Sequence, residues 1–407
     1  MVEVRRAMPP FSRDDARPPS SDPPLEASGR RIARAASGGC CYNLAAVTDH
    51  PLVDRAEALA AELLEPAAGN VDANGVPRSH LDALGAAGLL GVVAPRDAGG
   101  ADAGPPVFRA VAERLAGADA ATWFVQAQHH TPVRMLAANP SEAAQRRLRD
   151  LASGTSIAGI AFSHLRRFPQ RPVTATRERG GWRLDGVAPW YSGWGLNDLA
   201  FVAGVTDGGE VVFGVVPARE GGGLSVKARL RTAALDAAGT VALAFDGVRV
   251  DDADVALAQP HQEWLAADQA TSANANPAIF GVGASALRLL ARTAEQRGEP
   301  LAGEVAAAWG RRFDGVRARA YALADETPGA DVIAERLAVR AEALETLVAI
   351  TSALVAANSG PAMAVGSFAQ RKAREALFLL VQAQTADARA ATLSRWADTA
   401  AAKREEA

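Results

Sequence analysis

The sequence is poor in aromatic residues, in cysteine and in long apolar runs. Aromatic side chains make up 5% of its 407 residues, and three of them are tyrosines. The two cysteines, Cys40 and Cys41, are adjacent, which excludes an ordinary structural disulfide, and two thiols alone make a poor zinc site. No apolar run reaches the roughly 18 residues that span a bilayer, and the first residues lack the apolar core of a secretory signal. We therefore expect a reduced, cytoplasmic protein without a membrane-spanning segment.

Charge and motif content exclude several classes of ligand. The formal net charge of -3 gives no electrostatic reason to expect nucleic acid or an anionic membrane surface. The histidines show no ligand spacing, so no metal site is predicted. Phosphate-binding glycine loops and a nucleophile elbow are also missing.

Hydrophobic patterning divides the chain into four segments. Residues 1–45 are rich in Pro, Ser, Arg and Gly without periodicity, which predicts a disordered leader. Residues 46–157 repeat apolar side chains at i, i+3 and i+4, which predicts helices; Ser141 marks the start of one of them. Residues 158–262 contain short, Val-rich, alternating runs typical of antiparallel strands. Residues 263–407 return to long helical patterns.

The stretch GVAPWYSGWG (residues 186–195) gathers two tryptophans, a tyrosine and three glycines at the end of a predicted strand. Glycines weaken regular structure and let the backbone approach a ligand closely. The aromatic rings therefore either line a binding site or pack between domains, and the pattern alone leaves both interpretations open.

Five motifs in order resemble the acyl-CoA dehydrogenase flavoproteins over about residues 50–400. They are HLDALGAAGLLGVVAPRDAGGADA, LRDLASGTSIAGIAFS, GGWRLDGVAPWYSGWGLNDLAFVAG, GTVALAFDGVRVDDADVA and QRKAREALFLLVQAQT. The resemblance implies an α+β protein with an N-terminal α-helical domain, a central antiparallel β-barrel-like domain and a C-terminal four-helix bundle. It also implies bound FAD, with FMN as the alternative, and a homodimer or homotetramer.

The resemblance also implies which residues contact the flavin. Trp190 and Ser192 fall on the motif that lines the isoalloxazine ring, and Ser163 falls on another hydroxyl close to it. Arg297 corresponds to an arginine that contacts the pyrophosphate of the FAD bound to the neighbouring subunit. The alternative is that Arg297 is a solvated arginine at the end of a helix. The predicted cofactor-binding residues are Trp190, Ser192, Ser163, Arg297, Gly360 and Thr385.

The catalytic base that this resemblance implies is missing. A thioester dehydrogenase needs a carboxylate that removes the α-proton. The aligned positions are Ala383 and, in some members, Thr271, and neither carries a carboxylate. Asp268, about one helical turn from Thr271, is a candidate substitute.

His129 and His130 offer a different chemistry, since related flavin monooxygenases on this scaffold carry a histidine in this region. Adjacent helical residues point about 100° apart, so at most one of the two faces the cavity. A polar helix end without a role is the competing interpretation.

The sequence thus predicts an FAD-dependent oxidoreductase acting on the CH–CH group of an acyl thioester, without the usual glutamate. A reduced-flavin monooxygenase and a non-enzymatic relative are the alternatives. The expected partners are a small-molecule substrate and an electron-transfer protein or flavin reductase.

Overall fold

The computed structural model describes residues 49–326 and 332–405. The predicted leader, residues 1–45, lies outside the described residues. The described chain runs through helices, then a sheet, then helices again, in the predicted order. No helix in the described ranges is long and apolar enough to cross a membrane.

The first part is helical, as its i, i+3, i+4 pattern predicts. Ser141 accepts a hydrogen bond from the Ala144 N–H at 3.2 Å and caps the helix predicted to begin there. Asp119 caps the preceding helix through the N–H groups of Ala121 and Thr122. The helices are α1 (Pro51–Leu59), continued by a π-helical turn (Ala60–Leu64) into α2 (Glu65–Asn74), then α3 (Arg78–Ala86), α4 (Pro105–Ala118), α5 (Ala120–Ala138) and α6 (Glu142–Ser153).

An eight-stranded sheet follows, with the order β6-β7-β3-β2-β4-β5-β8 and β1 beside β4. Most neighbours are antiparallel, as the alternation predicts, but β1 and β2 each pair with β4 in parallel. Parallel neighbours need a long connection, and residues 162–198 supply it between β1 and β4. The strands are β1 (Ala158–Ala161), β2 (Val173–Glu178), β3 (Gly181–Tyr191), β4 (Leu199–Val205), β5 (Glu210–Pro217), β6 (Leu224–Arg229), β7 (Val241–Asp251) and β8 (Val255–Pro260).

The last part is a helical bundle. Helices α8 to α11 pack on one another, and α12 lies along α10. Their apolar faces join those of the first helices in one hydrophobic core. The helices are α7 (His261–Ser272), α8 (Pro277–Arg297), α9 (Pro300–Glu326), α10 (Ile333–Asn358), α11 (Phe368–Val381) and α12 (Ala386–Glu405).

Two glycines bring α4 and α8 into backbone contact. A Cβ at Gly281 would lie 2.2 Å from the carbonyl oxygen of Glu113, and a Cβ at Gly117 would lie 2.8 Å from that of Gly281. Real Cβ atoms do not approach other atoms that closely, so only glycine allows this crossing. The first helices are therefore joined to the bundle at the level of the main chain.

A buried charge network lies beside this crossing. Lys372 of α11 is 1% exposed, and its ammonium donates to the Gly117 carbonyl at 2.9 Å and to Glu375 at 2.8 Å. Burial raises the pKa of the Glu375 carboxyl, and Lys372 opposes that shift. Arg374 pairs with Asp72 of α2. The network thus ties α11 to the N-terminal helices.

We expect Gly281→Ala to lower the free energy of unfolding by about 1–3 kcal/mol or more, because the added methyl forces α4 and α8 apart. Gly310→Ala on α9 is the matched control, since no atom lies within 4 Å of its Cβ position. The control should stabilise the protein by up to about 1 kcal/mol through helix propensity. Urea unfolding of both variants checks this, and equal effects would contradict the tight crossing.

Candidate functional site

A cavity of about 1770 Å³ lies where the helices, the sheet and the bundle meet. One wall comes from the sheet, at the end of β3 and in the turn after β1. Other lining residues come from α4 and α5, from α7, and from the junction of α11 and α12. Pockets for drug-sized ligands measure roughly 300–1,000 Å³. This cavity therefore has space for a large ligand and a second, smaller one.

The three aromatic rings of GVAPWYSGWG have different surroundings. The register between β3 and β7 shifts just before Tyr191, at Pro189, which has no N–H for the ladder. Trp190 lies at this irregularity, 52% exposed on the cavity wall. Tyr191 is buried and its hydroxyl accepts a hydrogen bond from Asn197 at 3.0 Å, while Trp194 packs edge-on against it. Of the three rings, Trp190 alone is among the described residues that line the cavity.

Two serine hydroxyls lie on the same wall. The Ser192 hydroxyl is 3.0 Å from that of Thr240, and both residues line the cavity. Ser163 begins the turn Ser163–Arg167, and its shielded hydroxyl has no hydrogen-bond partner in the described part of the chain. A shielded, unpaired hydroxyl costs free energy. A ligand that offers it a hydrogen bond removes that cost.

Asp268 lines the cavity but is not a free carboxylate. Arg166 binds both of its oxygens, with Nε to Oδ2 at 2.7 Å and Nη2 to Oδ1 at 2.8 Å. A carboxylate whose two oxygens both accept hydrogen bonds from one arginine is not free to approach a substrate proton. The structure therefore does not support Asp268 as a substitute base. The other carboxylate among the described lining residues is Asp387, exposed in the first turn of α12.

The turn between α11 and α12 carries Ala383, where the resemblance places a glutamate. Ala383 has a φ of 50°, in the left-handed region. The buried Arg340 holds this turn by donating to the carbonyls of Gln382 at 2.8 Å and of Ser272 at the end of α7. Burial and the nearby Arg166 lower the pKa of Arg340 to about 10.

Thr385 lines the cavity, but its hydroxyl is engaged in a cap. It accepts a hydrogen bond from the Ala388 N–H at 3.2 Å and so begins α12. A threonine at this position is thus explained by local helix geometry, and its flavin contact stays a prediction.

Of the two adjacent histidines, His130 is the one that lines the cavity. His129 bonds main chain on both sides: its Nδ1 accepts from the Ala158 N–H at 3.1 Å and its Nε2 donates to the Leu151 carbonyl at 3.2 Å. Burial lowers the pKa of His129 to about 4, so this ring stays neutral. His129 connects α5 to α6 and β1, and its geometry does not support a role in proton transfer.

Gln126 fixes the tautomer of His130. The Gln126 amide nitrogen donates to the Leu89 carbonyl at 3.0 Å and lies 2.6 Å from His130 Nε2. His130 Nε2 is therefore the acceptor, and the proton is on Nδ1. That buried Nδ1 has no partner among the described residues. Burial, the neighbouring His129 and Arg134 hold the pKa of His130 well below its usual range.

Arg297 and Gly360 lie away from this cavity within the described chain. Arg297 ends α8 and donates to the Asn358 carbonyl at 3.4 Å. Gly360 begins a short turn after α10, with no atom within 4 Å of its Cβ position. Their predicted roles toward a flavin, including one held by a second subunit, stay predictions.

Sequence reasoning missed Arg134 and Phe108. Both line the cavity, and the Arg134 guanidinium lies 4.9 Å above the Phe108 ring centre. Arg134 follows His130 by four residues, a spacing that puts both on one helix face. That spacing was the available signal.

The amino-acid sequence of residues 48–155 matches the family model of the acyl-CoA dehydrogenase N-terminal domain. Similar solved structures include butyryl-CoA dehydrogenase from Megasphaera elsdenii, with TM-score 0.72 and 17% identity over 85% of this chain and 97% of that one. A glutaryl-CoA dehydrogenase from Mycobacterium smegmatis in complex with FADH2 has TM-score 0.70 and 17% identity, over 85% and 93%.

Dibenzothiophene monooxygenase from Paenibacillus sp. A11-2 is also similar, with TM-score 0.68 and 18% identity over 85% of this chain and 93% of that one. No curated protein matches the chain in sequence. These likenesses confirm the predicted fold class, which the dehydrogenases and the monooxygenase share.

Proposed function

We propose that this acyl-CoA dehydrogenase-like chain is a flavin-dependent oxidoreductase that binds FAD in the cavity. The observation that carries the proposal is the unpaired hydroxyl of Ser163, on the same wall as Ser192 and the exposed ring of Trp190. An indole can cover one edge of a planar ring system, and hydroxyls bond ring heteroatoms. The residues on this wall therefore fit an isoalloxazine ring.

The size and charge of the cavity favour FAD, with FMN as the alternative. A volume of about 1770 Å³ accommodates a dinucleotide beside a substrate. Arg167 and Arg389 line the cavity, and neither forms an ion pair within the described chain. Such cations suit phosphate groups. The similar glutaryl-CoA dehydrogenase contains FADH2.

When bound, a flavin supplies two-electron redox chemistry. The residues of this chain then have separate tasks. Trp190, Ser192 and Ser163 orient the ring, and Phe108 and Phe124 help to keep water out. His130 is neutral with its proton on Nδ1, and it is our candidate hydrogen-bond donor to the reacting oxygen.

We favour a monooxygenase that uses reduced flavin and oxygen. Removal of an α-proton beside a thioester needs a base within reach. Two carboxylates are among the described residues that line the cavity. Asp268 accepts hydrogen bonds from Arg166, and Asp387 is exposed. Reduction of oxygen needs no such base, and the N–H of a neutral histidine can donate a hydrogen bond to the negative charge that develops on oxygen.

A dehydrogenase acting on an acyl thioester is the second candidate. Asp387 favours it, because this carboxylate forms no ion pair within the described chain and follows Thr385 by two residues. The two candidates need different redox partners. A dehydrogenase passes electrons to an electron-transfer protein, whereas a monooxygenase receives reduced flavin from a reductase.

We expect the purified protein, incubated with FAD, to bind about one flavin per chain, as measured by its visible spectrum after desalting. Trp190→Ala and Ser163→Ala should each weaken binding about tenfold or more, through lost ring contact and a lost hydrogen bond. Trp182→Ala is the matched control, since Trp182 lies on the same strand outside the cavity wall. A protein that takes up neither FAD nor FMN would leave the non-enzymatic alternative.

We expect butyryl-CoA and octanoyl-CoA to leave the bound flavin oxidised under anaerobic conditions. After reduction with dithionite, His130→Leu should slow reoxidation by oxygen about 100-fold, because the N–H that stabilises the negative charge developing on oxygen is lost. His50→Gln, outside the cavity, is the control. Bleaching by either thioester would support the dehydrogenase instead. Unchanged reoxidation would contradict the role of His130.

We also propose that the protein assembles through α11, α12 and the turn before them. Large apolar side chains are concentrated on this surface, here called the bundle patch. Its members are Met363, Val365, Phe368, Leu377, Val381, Leu393 and Trp396. Large exposed apolar patches on a protein surface often mark sites of interaction with another protein. Leu377 and Val381 also line the cavity, so a second copy on this patch would close its mouth.

We expect Leu393→Glu to shift the wild-type dimer or tetramer toward monomer, because it places a charge in the contact. Leu301→Glu is the control, since Leu301 is 71% exposed but lies outside the bundle patch. Sedimentation velocity of the two variants measures the effect. A monomeric wild type, or the same shift in both variants, would contradict assembly through this patch.

A further inference from the structure

Several arginines on the cavity wall have fixed partners in the protein. Arg109 pairs with Asp325, and Arg166 pairs with Asp268. Arg340 donates to main-chain carbonyls. Each of these cations is thus held by anionic or dipolar groups of the fold itself.

Arg134 differs from them. Within the described chain, no carboxylate or carbonyl hydrogen-bonds its guanidinium, whose contact is the face of the Phe108 ring, 4.9 Å from the ring centre. Surrounding protein lowers the pKa of Arg134. The side chain is exposed on the cavity wall, so its guanidinium is accessible to an anion that enters the cavity.

The neighbours of Arg134 restrict what that anion can be. Phe108 contacts His130 edge-on, with ring centres 5.1 Å apart, so one aromatic ring joins the two polar residues. His130 is neutral and Arg134 is cationic, and no carboxylate of the described residues bonds to either of them. A ligand at this place therefore combines an anionic oxygen group with an apolar body.

We propose that Arg134 and Phe108 form a subsite for the carboxylate of an amphipathic acid, which is the substrate. The guanidinium binds the carboxylate oxygens, and the Phe108 ring packs against the adjoining carbons. This assignment rests on the proposed function, in that the bound acid is placed one helical turn from His130.

A phosphate of the flavin is the other source of an anionic oxygen group. Arg134 lies on α5, whereas the residues proposed to contact the flavin ring lie on the sheet wall. The subsite is therefore on a different element from the ring contacts. Separate titrations with carboxylates and with FAD distinguish the two sources.

The test is calorimetric titration of the full chain, without added flavin, with octanoate and benzoate and with their neutral amides. We expect the acids to bind at least about tenfold more tightly than the amides. Arg134→Met should weaken acid binding about tenfold or more and leave amide binding unchanged. Arg134→Lys should restore part of the loss. Arg288→Met, at an exposed arginine of α8 outside the cavity wall, is the matched control.

Equal binding of acids and amides, or no acid binding at millimolar concentration, would overturn the subsite. Arg134→Met that leaves acid binding unchanged but weakens FAD binding would assign Arg134 to the cofactor phosphate and overturn it too. If Arg134→Met does not fold, the acid–amide comparison in the wild type and Arg134→Lys still decide. A protein that discriminates acids from amides but binds no flavin would refute the proposed function and retain the subsite.

Discussion

The backbone contact between α4 and α8 is the constraint on which the rest of the structure depends. At Gly117 and Gly281 the two helices approach without side chains between them, and Lys372 closes the contact from α11. The N-terminal helices and the bundle are thus fixed to each other. Because α5 follows α4 directly, the wall that carries His130 is held against the bundle by the same contact.

Local signals allowed much of the fold to be predicted. Helix and strand periodicities gave the order of the segments, and the serine before the sixth helix gave its start, since a cap involves residues three apart. The parallel pairing of β1 with β4 was not predictable in this way, because it joins segments separated by the whole β2–β3 hairpin.

The candidate site was harder to predict, because its chemistry depends on contacts between distant residues. Asp268 appeared available in the sequence, but its partner Arg166 lies 102 residues away. Helix geometry predicted that at most one of His129 and His130 faces the cavity. Which one does so is decided by Gln126 and by the main chain of β1. Arg134 was missed because only the structure shows that no described carboxylate pairs with its guanidinium.

The turn between α11 and α12 is shaped by main-chain groups. Arg340 of α10 donates a hydrogen bond to the Gln382 carbonyl in this turn, and the Thr385 hydroxyl caps the start of α12. Neither interaction involves the side chain at position 383. Shape and reactivity at this turn are therefore separable: the side chain at position 383 can change without rebuilding the main-chain contacts around it. Dehydrogenases and a monooxygenase are among the solved structures with this fold, which illustrates that the fold by itself does not dictate the reaction.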